Sequence, residues 1–158
     1  MIRPITPDDI PGLIVIAKEI GFEPNELEQL NTMFNDYFVD NTDNNDFCVT
    51  DEEDGLVGVA YCAPEPMTNR TWNLLLIAIR PNYQGQGRGK ALLHYVEQTL
   101  SAAGERLLLV ETSGLENFQS AREFYRKCGY EEEGRIRDFY DTSDDKIVFR
   151  KLLSTPSE

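Results

Sequence analysis

Arg80-Pro81-Asn82-Tyr83-Gln84-Gly85-Gln86-Gly87-Arg88-Gly89-Lys90 is the stretch on which the reading of this chain turns. Before it comes Trp72 to Ile79, nearly all apolar, the pattern of a strand covered on both faces. After it, from Gly87 to Ala103, Leu92, Leu93, Val96, Leu100 and Ala103 recur at helical spacing, with Gly104 as the stop. Glycines at alternate positions 85, 87 and 89 allow backbone conformations and close approaches that side chains would block. The first turn of a helix offers unpaired N–H groups and the positive end of its dipole. Together these predict a pocket for a phosphate or diphosphate; the plainer reading is a tight strand-to-helix turn.

Two nucleotide motifs are near misses. A P-loop, G-x-x-x-x-G-K-[ST], ending at Gly89-Lys90 needs glycine where Gln84 stands and Ser or Thr where Ala91 stands. The dinucleotide fingerprint G-x-G-x-x-G fails at Lys90 and comes too late, after the fourth strand.

Charge distribution separates this segment from the rest. The chain carries −13 net, from 28 acids against 15 Lys and Arg, which disfavours a nucleic-acid partner. Between Glu65 and Glu97, however, lie 31 residues with no Asp or Glu, where about five or six are expected from the chain-wide frequency. A buried strand accounts for residues 72 to 79 but not for the polar residues 80 to 90. Arg70, Arg80, Arg88 and Lys90 lie in the same stretch, which reads as an anion site.

Outward from the loop, Ile2 to Ile5 reads as a short strand. Asp8 or Asp9 is the expected cap of a helix carrying Leu13, Ile14, Ala17 and Ile20, ended by Gly21. A second helix starts after Pro24, and Asn41 to Asp46 is a polar loop. Phe47 to Thr50 and Leu56 to Cys62 form a hairpin through Asp54-Gly55, followed by a break from Ala63 to Asn69. Arg106 to Thr112 is a buried strand. A helix opened by a capping box at Ser120 to Glu123 runs to Gly129. Tyr130 to Asp138 and Lys146 to Leu153 are strands flanking a polar turn at Asp141 to Asp145. The order β-α-α-β-β-β-α-β-α-β-β implies an α/β fold, a central mixed sheet flanked by helices.

Length predicts one domain over residues 1–153 and a frayed tail at 154–158. No signal peptide or membrane span is expected. Cys48, Cys62 and Cys128 fit neither a disulfide framework nor a zinc motif, and there is one histidine, so no metal site and a cytoplasmic protein with reduced thiols are expected.

The segment Gln84-Gly85-Gln86-Gly87-Arg88-Gly89 resembles the [QR]-x-x-G-x-[GA] signature of the GNAT superfamily of N-acetyltransferases. Ile77-Ala78-Ile79-Arg80-Pro81 before it, Lys90-Ala91-Leu92-Leu93 after it, and the later Phe124-Tyr125-Arg126-Lys127-Cys128-Gly129-Tyr130 extend the resemblance over most of the chain. It implies acetyl-CoA as co-substrate, its diphosphate held by backbone N–H groups of Gly85 to Lys90 within a loop that includes Gln84. The pantetheine arm would pair with the strand edge at Ile77, Ala78 and Ile79. Asn117 stands near the place of a family asparagine that contacts CoA, although one residue further from Tyr125 than the pattern has it.

Acetyl transfer to an amine requires loss of the ammonium proton and a donor to the departing thiolate. The resemblance gives the donor role to Tyr125, whose phenol is protonated at neutral pH with an unperturbed pKa of about 10. As part of an apolar stripe with Ala121, Phe124 and Cys128, Tyr125 also reads as a core residue. Glu111, after the apolar Leu107 to Val110, is the candidate base, expected to have a raised pKa in such a strand. It also reads as an ordinary strand-end carboxylate, with a water chain serving instead. His94 is expected at a surface or half-buried position on the helix. Acids crowd the C-terminal third, which favours a cationic amine acceptor, with Tyr83, Phe139 and Tyr140 as lining candidates. A CoA sensor without turnover and a pure interaction module are the alternatives. An uncovered edge strand is compatible with a homodimer.

Overall fold

Glycine and proline punctuate the apolar runs closely enough that the elements fall where the pattern puts them. The computed structural model describes residues 1–153, so the expected tail at 154–158 lies outside the described residues. In chain order they form β1 (Ile2–Pro4), α1 (Ile10–Glu19), α2 (Pro24–Asn44), β2 (Phe47–Glu52), β3 (Leu56–Pro64) and β4 (Thr71–Ile79). Then come α3 (Arg88–Ala102), β5 (Leu107–Ser113), α4 (Gln119–Lys127), β6 (Glu131–Asp141) and β7 (Asp144–Leu152). This is the predicted order. The strands make one seven-stranded mixed sheet, β1-β2-β3-β4-β5-β7-β6, flanked by helices. β4 and β5 run parallel, from Thr71 opposite Leu107 to Leu74 opposite Val110, while β5–β7 and β6–β7 are antiparallel.

Residues pack into two units. The first comprises Met1–Pro64 and Leu76–Gln98. Its core joins Leu13, Ile16 and Ala17 of α1 and Leu30 and Phe34 of α2 to Cys48, Val59, Tyr61 and Ala78 of the strands. Each fully buried side chain of the Leu, Ile or Phe kind stabilises the fold by roughly 1.5–3 kcal/mol. Helix α3 is fixed in the same way, through buried Leu92, Leu93 and Val96.

The second unit comprises Glu65–Leu75 and the chain from Thr99 onward. Here β5 alternates, with Leu108 and Val110 buried beside Ile147 and Phe149 of β7. Tyr125 packs against both Tyr130 and Phe149, its ring centroid 6.0 and 5.7 Å from theirs.

Several local expectations are corrected. Asp9 is the N-cap residue of α1, as expected, but its side chain makes no capping bond there: its carboxylate completes a capping box with Thr6 around the 3-10 turn Pro7–Asp9, accepting from the Thr6 N–H at 2.7 Å. Helix α2 continues to Asn44 and absorbs most of the expected loop at 41–46, since Asn and Asp are weak rather than forbidden helix formers. Strand β3 runs on to Pro64, past the expected break at Ala63. No capping box opens α4, which is entered instead from a 3-10 turn, Glu116–Phe118. Arg122 pins that entry by donating to the carbonyls of Ser113 and Leu115 at 2.7 and 2.8 Å. The polar turn at 141–145 shrinks to Thr142 and Ser143, because Asp141 and Asp144 pair as strand residues. Finally, β4 is not covered throughout: Leu75, the first residue beyond the register with β5, is 51% exposed.

Gly58 sets how closely β3 and β4 approach. A Cβ there would lie 2.9 Å from the Ala78 carbonyl oxygen and 2.5 Å from Ile79 Cδ1. A backbone oxygen cannot swing aside as a side-chain tip can. Gly58→Ala is therefore expected to destabilise the chain by about 1–3 kcal/mol, read as a lowered urea midpoint.

Candidate functional site

In the first unit, β4 ends at Ile79 and a 3-10 turn, Pro81–Tyr83, reverses the chain into the glycine loop. Gln84 anchors that loop: its N–H donates to the Pro81 carbonyl at 3.3 Å and its side-chain Nε2 to the Ile79 carbonyl at 2.9 Å. The Gln86 side chain adds a longer bond, 3.4 Å, to the Asn82 carbonyl. Gly85 and Gly87 lie at φ 76° and 80°, the left-handed region where a Cβ is strained. A Cβ at either would meet nothing within 4 Å, so backbone conformation rather than crowding requires glycine here. Gly89 differs, sitting inside the first turn of α3 with an ordinary helical role.

The result is a run of open donors. Among the described residues, the N–H groups of Gly85, Gln86, Gly87, Arg88, Gly89 and Lys90 have no protein acceptor. The first internal bond is Ala91 N–H to the Gly87 carbonyl, 3.0 Å. With the positive end of α3 behind them, these groups suit an anion with several oxygens. The Gln84 N–H is already committed, so Gln84 shapes the loop rather than adding a donor to it.

Cations of the acid-free stretch are mostly spent inside the protein. Arg88 pairs with Asp51 at 3.0 Å and Glu53 at 2.5 Å, and its guanidinium lies 5.2 Å from the centre of the Tyr83 ring. Arg80 holds Glu19 at 2.6 Å, and Arg70 donates to the Gly104 carbonyl at 3.2 Å. Of the four, Lys90 alone is exposed and without a partner among the described residues. Beyond Leu74, β4 leaves the register with β5, and Ile77 and Ile79 are half-buried while Ala78 is buried.

In the second unit, Tyr125 is 7% exposed, its ring set among Phe124, Tyr130 and Phe149. Its hydroxyl has no hydrogen-bond partner among the described residues. Burial pushes the phenol well above its usual range, so it stays protonated. Asn117 sits exposed in the 3-10 turn before α4 and makes no bond among the described residues. His94 is exposed on α3, as expected.

Glu111 does not stand in the apolar setting that the strand suggested. Lys146 Nζ donates to its Oε1 at 3.1 Å and Asn73 Nδ2 to its Oε2 at 3.2 Å. The same Asn73 amide donates to Glu65 at 2.9 Å. Sequence reasoning missed Asn73 and Lys146. The signal for Asn73 was present, as it is the one amide in an otherwise apolar strand. The Tyr140 phenol is pushed up to about 12, by burial first and then by the charges of Glu111 and Asp144. No cluster of three or more His, Cys, Asp or Glu suited to a metal occurs among the described residues. No helix among them is long and apolar enough to cross a membrane.

Comparison with known proteins gives concordant matches. The model of the acetyltransferase (GNAT) domain matches residues 43–132. The crystal structure of a GNAT-family protein from Desulfovibrio desulfuricans is 30% identical, covers 98% of this chain and 99% of its own, and superposes with a TM-score of 0.91. The ribosomal-protein-S18-alanine N-acetyltransferase of Escherichia coli shares the fold at 22% identity, with 100% and 96% coverage and a TM-score of 0.77. An aminoglycoside 6'-N-acetyltransferase complexed with coenzyme A does so at 16% identity, 100% and 99% coverage and 0.76. No curated protein matches in sequence.

Gly87→Ala tests the loop geometry. Holding alanine at a left-handed φ costs about 1–2 kcal/mol, so CoA affinity by calorimetry is expected to fall about 5- to 30-fold. Gly134→Ala, in open space on β6 without a left-handed φ, is the control expected to leave it unchanged.

Proposed function

We propose that this chain, which belongs to the GNAT family of acetyltransferases, moves an acetyl group from acetyl-CoA onto a primary amine, with residues 1–153 acting as one domain. Acetyl-CoA is the family's co-substrate. The observation that carries the reading is the row of unbonded N–H groups from Gly85 to Lys90 at the start of α3. In this reading they bind the CoA diphosphate, with Lys90 as the nearby free cation. Ile77, Ala78 and Ile79 offer the β4 edge to the pantetheine amides, and Asn117 is a further CoA contact.

The chemistry divides between two side chains. Glu111 accepts the proton that the ammonium must lose. The free amine then attacks the thioester carbonyl, a C–N bond forms, the C–S bond breaks, and Tyr125 donates its phenolic proton to the leaving thiolate, the proton shed by the new amide nitrogen returning to Tyr125 through solvent. Burial supports that role by keeping the phenol neutral.

For the acceptor, a cationic amine is favoured by Glu111, Asp144 and the exposed acids of β6, with Phe139 and Tyr140 half-exposed beside them. Glu131, Glu132 and Asp145 are already paired with Arg150, Arg126 and Arg135, which leaves a smaller acidic surface than the sequence count implies. Strand β6 ends the sheet order with every residue exposed, the edge through which a homodimer would form. Free buried thiols at Cys48 and Cys62 fit a reducing, cytoplasmic setting.

The test is a thermal and chemical denaturation screen with acyl-CoAs, followed by thiol release with an amine panel. CoA at 100 times Kd is expected to add about 2.7 kcal/mol. Binding without thiol release from any amine would favour a CoA sensor. Tyr125→Phe is expected to lower kcat about 10²- to 10⁴-fold while CoA affinity is retained. Since the phenol titrates above its ordinary value of about 10, the pH–kcat profile is expected to show no alkaline fall from this group below that pH. The stability gained by keeping it neutral is likewise complete below pH 10 or so and lost above it.

A further inference from the structure

Both carboxylate oxygens of Glu111 are held, by donors on two different strands. Lys146 of β7 takes Oε1 at 3.1 Å and Asn73 of β4 takes Oε2 at 3.2 Å. Each oxygen keeps one lone pair free, so the two donors decide the direction from which Glu111 can accept a proton.

A second carboxylate shares one of those donors. Glu65 lies on the far side of the shared Asn73 amide. Tyr140 on β6 stands within electrostatic reach of both Glu111 and Asp144, whose carboxylate accepts from Ser113 at 2.5 Å. The Lys146 side chain is only 12% exposed, and Nζ lies 3.8 Å from the centre of the Phe139 ring. The aromatic face and the carboxylate replace much of its water, which strengthens its field at Glu111.

Asn73 shows the same local commitment. It is 4% exposed, and its Oδ1 is the one buried side-chain polar atom without a partner among the described residues. An orphaned buried oxygen is costly. Here the other end of the amide holds two carboxylates in place.

We propose that Lys146 is a positioning residue for acetyl transfer: its ammonium, with the Asn73 amide, fixes the Glu111 carboxylate and aims its free lone pairs. This rests on Glu111 being the base.

The test reads kcat for thiol release and, separately, coenzyme A affinity by calorimetry in the full chain. Lys146→Met is expected to lower kcat about 10- to 100-fold with coenzyme A affinity retained, and Lys146→Arg, which keeps a cationic donor, to restore most of it. Lys146→Gln is the second neutral variant if Lys146→Met does not fold. An unchanged kcat in the neutral variants overturns the proposal. Thiol release by Glu111→Gln separates the two readings. Wild-type turnover in that variant overturns the base assignment and the positioning role with it. Lost turnover in Glu111→Gln together with an unchanged kcat in the neutral Lys146 variants overturns the role of Lys146 alone.

Discussion

A helix begins with N–H groups that no residue of the helix can accept, and a protein must cap them, leave them to water or use them. In this chain six consecutive amides, Gly85 to Lys90, are left without a protein acceptor among the described residues. The arrangement is tolerable because α3 does not depend on its first turn for stability. Buried Leu92, Leu93, Val96 and Leu100 hold it further along, and tertiary burial of this kind outweighs the roughly 1 kcal/mol of a typical cap. Gln84, tied to Ile79 and Pro81, then keeps the open donors together.

That constraint changes what the acid-free stretch means. From charge alone, the run between Glu65 and Glu97 looks like a basic anion site. In the fold, Arg80 and Arg88 are spent on Glu19, Asp51 and Glu53, and Arg70 on a carbonyl. What the absence of acids preserves is a region where backbone dipoles and Lys90 act without a competing carboxylate nearby in sequence. Binding by backbone amides is also geometrically stricter than binding by flexible side chains, which is why the positive φ values at Gly85 and Gly87 matter.

Much of the fold was readable because its elements are strongly periodic and sharply punctuated. Element order, the Asp54-Gly55 hairpin and the ends of the helices near Gly21, Gly104 and Gly129 follow from local pattern. The misses occurred where tertiary contacts decide. Asp9 stands at the cap of α1 yet spends its carboxylate on Thr6 and Arg3, Arg122 replaces a capping box at α4, and α2 continues through a polar stretch that looks like loop. At the candidate site the loop of open amides was legible from its glycines, but the setting of Glu111 was not. An apolar strand in sequence says nothing of Asn73 and Lys146, which reach Glu111 from 38 and 35 residues away in the chain.

The most direct measurement is a ¹H–¹⁵N titration of the chain with coenzyme A, following backbone amides one by one. Convergence of the loop on the diphosphate requires the resonances of Gly85 to Lys90 to move together downfield and to gain protection from solvent exchange, with Ala91, already bonded to Gly87, moving less. Saturation by coenzyme A with those six signals unchanged would place the diphosphate elsewhere and contradict the account.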